Sequence, residues 1–160
     1  MMSSMPCRSK SALLAVLLAL LTACSRHTPE EQIATAERYL AEGNPRAAEI
    51  ELRNAIQQAP GNGKAHRLLG TTLARFGDPV TAEAVLRKSL TLSEKSDDVL
   101  PKLAVAMLRQ GQPQRIIAEL GGANLQDPTA NASLRATVGQ ALLMRGQVKE
   151  AAEAFAASLA

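Results

Sequence analysis

The apolar positions of this chain fall at helical spacing in one segment after another. Ile33, Ala36, Tyr39 and Leu40 share one face, as do Leu69, Leu73 and Phe76, and then Leu100, Leu103, Ala104 and Met107. Recurrence every three or four residues marks amphipathic helices. Between the segments one polar phrase returns: Gly43-Asn44-Pro45, Gly77-Asp78-Pro79, Gly111-Gln112-Pro113 and Gly146-Gln147-Val148, with the glycines 34, 34 and 35 residues apart. Glycine suits the left-handed end of a helix, Asn or Asp can cap the next one, and proline fits its first turn, where no intrahelical donor is needed. Each phrase therefore predicts a tight turn between antiparallel helices. The helices are expected near 30–42, 45–58, 63–76, 79–92, 98–110, 113–120, 132–145 and 148–160. The expected fold class is all-α, built from repeated helical hairpins.

The period and residue pattern resemble the tetratricopeptide repeat over nearly everything after residue 28. With each turn glycine at repeat position fifteen, position eight holds Ala36, Gly70, Ala104 and Gly139, and position twenty holds Ala48, Ala82, Ile116 and Ala151. Position twenty-four holds Leu52, Leu86, Leu120 and Phe155, and position twenty-seven holds Ala55, Ser89, Ala123 and Ser158. Small residues let helices approach closely, and the larger apolar ones fill the space between adjacent hairpins. The resemblance implies a right-handed solenoid of about four repeats: 29–62, 63–96, a degenerate third at 97–131 and a truncated fourth at 132–160. In the third, Gly121-Gly122 follow Leu120 at once. A shortened second helix is expected there, with an exposed loop through Asp127-Pro128.

The first residues are organised differently. Arg8 and Lys10 precede an unbroken apolar run from Ala12 to Leu21, and then come Thr22, Ala23 and Cys24. That is the anatomy of a cleaved signal over residues 1–23, too short for a spanning helix. Leu21, Thr22, Ala23 and Cys24 resemble the bacterial lipobox, which implies diacylglyceryl modification of Cys24 and a lipidated linker over 24–28. Cysteine usage agrees: Cys7 lies in the discarded segment, so Cys24 has no disulfide partner. Ser25 follows instead of aspartate, and the resemblance then implies the periplasmic face of the outer membrane.

Composition changes the picture in two respects. The formal charge is +3, yet without residues 1–23 sixteen basic residues face fifteen acidic ones. The apparent basicity is largely that of the signal and gives no support for a nucleic-acid partner. Tyr39, Phe76 and Phe155 are the only aromatics, too few for platforms that stack bases or sugar rings. Neither His27 nor His66 has a second histidine or a cysteine at metal-ligand spacing. Glu30-Glu31 and Asp97-Asp98 begin helices, where carboxylates complement the dipole. No catalytic constellation, metal site or cofactor is expected beyond the lipid on Cys24.

Binding is instead expected on the concave face lined by the first helix of each repeat. Family position places Ile33, Glu37 and Leu40 there, then Lys64, Arg67, Thr71 and Arg75, then Val105, Leu108 and Arg109, and finally Ala136, Gln140 and Leu143. Lys64, Arg67, Arg75 and Arg109 suggest a cationic strip for an acidic partner. The combination of lipobox, Ala48-Glu-Ile-Glu-Leu-Arg-Asn-Ala55 and Asp98-Val-Leu-Pro-Lys-Leu-Ala104 resembles the N-terminal part of the tetratricopeptide lipoproteins that accompany exosortase and PEP-CTERM sorting systems. The resemblance implies a non-catalytic, membrane-anchored scaffold whose protein partners serve exopolysaccharide production, export or surface-protein sorting. Family members are longer, so either a continuation beyond Ala160 or a partner over that end is expected. Two other classes share these features: an assembly lipoprotein for outer-membrane β-barrels or pilus secretins, and a module binding anionic polysaccharide.

Overall fold

A computed structural model describes residues 27–92 and 94–159, and the signal and Cys24 lie outside the described residues. Eight helices follow one another: α1 (Pro29–Ala41), α2 (Pro45–Gln58), α3 (Gly63–Phe76), α4 (Pro79–Thr91), α5 (Ser96–Arg109), α6 (Pro113–Leu120), α7 (Pro128–Met144) and α8 (Val148–Ser158). There is no strand among the described residues. The fold class is the one expected. Local chemistry explains the boundaries: Thr28 and Glu31 form a reciprocal capping box on α1, and the side chains of Asn44, Asn62, Asp78 and Asp127 accept from first-turn amides of α2, α3, α4 and α7. Gly43, Gly111 and Gly146 take the left-handed conformation at φ 74°, 68° and 74°. Gly77 does not, with φ −124°. A Cβ there would lie 2.9 Å from Leu73 Cδ2, so contact with the preceding turn restricts this position.

Helices α1 and α2, α3 and α4, and α7 and α8 pair as hairpins, and α2 on α3 and α4 on α5 stack one hairpin on the next. The repeat positions meet as the period requires. Ala36, Ala48, Leu52 and Ala55 are fully buried, as are Ala82, Leu86 and Ser89 of the second hairpin and Ala104 and Ile116 of the third. A Cβ on Gly70 would lie 2.5 Å from Leu86 Cγ, and one on Gly139 would lie 2.8 Å from the Phe155 ring. The buried core runs from Ile33 to Ala151, so a chain beginning at residue 24 contains all of it.

The third hairpin departs as expected and is repaired in a way the pattern did not reveal. Helix α6 has eight residues, and α5 packs on α7 as α3 packs on α5. In place of the missing turns, Leu125 is buried and its N–H donates to Asn131 Oδ1, while the Arg135 guanidinium donates to the carbonyls of Gly121 and Ala123. Asp127-Pro128 is exposed, but it is the start of a helix: Asp127 caps α7 and Pro128 opens it, four residues before the expected 132. The Asp-Pro pair repeats the chemistry of Asp78-Pro79, and the glycine one place earlier is what it lacks.

Candidate functional site: a concave groove of mixed charge

The first helices α3 and α5 and the start of α7 lie side by side and enclose a groove of about 410 Å³. Ala74, Pro101, Val105 and Ala130 give it apolar surface. Thr71, Thr129 and Ser133 add hydroxyls, Arg75 and Lys102 add cations, and Asp97, Asp98 and Asp127 add carboxylates. Helix direction sets the arrangement: the aspartates stand at helix starts on one side, and Arg75 stands at the end of α3 on the other. Asp97 also holds the wall together, since its Oδ2 accepts from the Asp127 N–H at 2.7 Å. Neither Arg75 nor Lys102 forms an ion pair among the described residues; Arg75 instead stacks on the Phe76 ring.

Of the residues expected to bind, Thr71, Arg75 and Val105 line this groove, whereas Lys64, Arg67, Arg109 and Gln140 do not. Lys64 pairs with Glu37 at 2.8 Å, and Arg67 is bound to Glu94 at 2.6 Å with both side chains only 21% exposed. Arg109 donates to the Ala74 carbonyl. The four cations therefore form no continuous strip, because three of them have structural partners. Ile33 is core. Sequence reading missed Lys102, Asp97, Asp98 and Asp127 as groove residues. Their facing could have been inferred from spacing, since residues 98, 101, 102 and 105 share one face of α5. His66 is tied down as well, its Nε2 lying 3.0 Å from the Pro60 carbonyl.

The other dense polar cluster joins α4 to α6 on the outer layer. Glu83 accepts from Arg87 at 3.0 Å and from Arg115 at 2.6 Å, Gln110 donates to it at 2.9 Å, and Arg87 and Arg115 both reach Glu119. Burial pushes the Glu83 carboxyl up, but the hydrogen bonds from Arg115, Gln110 and Arg87 outweigh it and hold the group below its ordinary value. Hydrogen bonding from Arg87, against some desolvation, likewise lowers Glu119. This cluster braces adjacent repeats. Among the described residues no three His, Cys, Asp or Glu side chains converge to hold a metal, and no helix is long and apolar enough to cross a membrane.

A tetratricopeptide-repeat family model matches residues 39–92, which span α2, α3 and α4. Two crystal structures of MamA superpose on nearly the whole chain. One covers 98% of this chain and 95% of its own at 17% identity, and the other covers 93% and 78% at 19% identity; both have a TM-score of 0.67. The fold is a tetratricopeptide-repeat solenoid. At these identities the likeness extends to architecture alone. A comparison with curated proteins gave no match. Tetratricopeptide-repeat folds generally present surfaces for protein partners.

Proposed function

We propose that the chain is a non-catalytic scaffold held at the periplasmic face of the outer membrane by lipid on Cys24, and that its groove receives an extended segment of a partner protein. The partner belongs to an assembly for exopolysaccharide production, export or PEP-CTERM protein sorting. The observation that carries the interaction role is the groove itself. It joins apolar floor, hydroxyls and both signs of charge across three neighbouring helices, which suits a polypeptide with alternating side chains better than a small uncharged ligand. The anchor and the system rest on the lipobox and on the resemblance of residues 48–55 and 98–104.

Photo-crosslinking residues at Thr71 and Val105 test the groove in the native envelope. The expected result is one dominant adduct with an envelope protein, lost when Val105→Arg fills the apolar floor. Adducts no stronger than those from Ala118, exposed on α6, would overturn the reading. In parallel, Cys24→Ala is expected to release the protein from the detergent phase, and continued partitioning there would remove the anchor.

A further inference from the structure

Seven large apolar side chains are exposed among the described residues, and five of them cluster at two turns: Phe76 and Val80 around Gly77, and Leu143, Met144 and Val148 around Gly146. Scattered exposed apolar residues are ordinary, but clusters of this kind mark contact surfaces. All four turns at Gly43, Gly77, Gly111 and Gly146 join a first helix to a second helix, and the hairpins stack side by side, so the turns lie along one edge of the solenoid. Both apolar clusters belong to that edge.

The same edge carries more cations than acids. Glu42 is paired there with Arg38, and Asp78 and Glu150 are exposed beside the Gly77 and Gly146 turns. Arg46, Arg145 and Lys149 are exposed there and form no ion pair among the described residues, and Arg75 stands beside Phe76. Arg75 and Arg145 end helices, where a cation complements the helix dipole. Arg46 and Lys149 are the second residues of α2 and α8, where a cation opposes it. Their placement is therefore not explained by the helices that carry them. The opposite edge, where first helices begin and second helices end, holds Glu30, Glu31, Asp97, Asp98 and Asp127 with Lys95, and of the exposed large apolar side chains it holds Leu159.

We infer that the turn edge is a docking surface for an anionic phospholipid bilayer. Charge complementarity gives the sign of the partner. Shape gives its kind: Phe76 lines a small hollow with Arg46, but Val80, Leu143, Met144 and Val148 stand about half or more exposed beside the turns, and side chains at such tips press into a deformable headgroup layer more readily than into a preformed protein pocket. Aliphatic side chains flanked by Arg and Lys are the combination that inserts at such an interface. The contact is separate from the partner groove and independent of acylation at Cys24, so its failure would leave the groove reading intact.

The test uses residues 24–160 carrying Cys24→Ser, which contain the whole core and no cysteine. Sedimentation with vesicles of phosphatidylethanolamine and phosphatidylglycerol is compared with phosphatidylcholine vesicles. Binding is expected only to the anionic vesicles and is expected to weaken with salt. Arg145→Glu with Lys149→Glu should reduce it by at least about tenfold, and so should Leu143→Ser with Val148→Ser. An environment-sensitive fluorophore on Gln147→Cys should shift to the blue with these vesicles, while one on Asn124→Cys, in the loop before α7, should not. These positions are exposed, and far-UV circular dichroism confirms that each variant is folded. Equal binding to neutral vesicles, no vesicle binding, or binding indifferent to the Leu143 and Val148 changes would overturn the inference. Turn-edge crosslinks to an acidic protein without vesicle binding would replace the lipid with that protein.

Discussion

Gly70 and Leu86 show how one side chain dictates another across a hairpin. The Leu86 side chain occupies the space where a Cβ on residue 70 would stand, so a methyl group requires Leu86 to leave its place. Gly70→Ala gains about 1 kcal/mol in helix propensity but is expected to lose about 1–3 kcal/mol to overpacking, for a net fall in stability. Chemical denaturation checks the sign, and Leu86→Val in the same chain should recover part of the loss. Strict additivity of the two substitutions would show that the residues do not compete for one space. This pairing was legible in the sequence, because position eight is small and position twenty-four large in every repeat. The burial of Arg67 against Glu94 was not legible. These partners stand 27 residues apart with no periodic signal to join them.

Between elements, the Glu83 cluster couples α4 to α6. Its carboxyl lies below its ordinary value of 4.5 in the folded protein, so the unfolded chain binds the proton more tightly. The stability it contributes is therefore complete above about pH 4.5 and is lost as pH falls through the lower folded value. Melting temperature should decline on acidification below that point, and Glu83→Gln should make the decline shallower while lowering stability at neutral pH. An unchanged acid slope in the variant would assign the decline to other groups, Asp78 and Glu119 among them, which are also held low. Element boundaries were mostly legible because caps and turn glycines are local signals. The start of α7 was missed because the glycine that marks the other turns is absent before Asp127-Pro128, although the cap and the proline are both present.

Across the whole molecule, each hairpin is supported by its neighbours, and stability should vary along the stack accordingly. The main packing partner of helix α8 is α7, and Phe155 is partly exposed. Amide exchange in this 160-residue chain is expected to be fastest in α8 and slowest in α3, α4 and α5; equal protection in α8 and α4 would mean that the solenoid opens as a single unit. The groove too is a property of this scale. The sequence by itself determined the helices, their pairing and the small-against-large contacts, because period, caps and crossing positions act over one repeat length. Only the tertiary structure decided which cations are free and which acids face them. Lys64, Arg67 and Arg109 find partners in neighbouring elements, whereas Asp97, Asp98 and Asp127 arrive at the groove through the direct packing of α5 on α7. First helices meet in this way along the stack, since α3 packs on α5 as α5 packs on α7, and a charge becomes available for binding only after the fold has settled which other charges it meets.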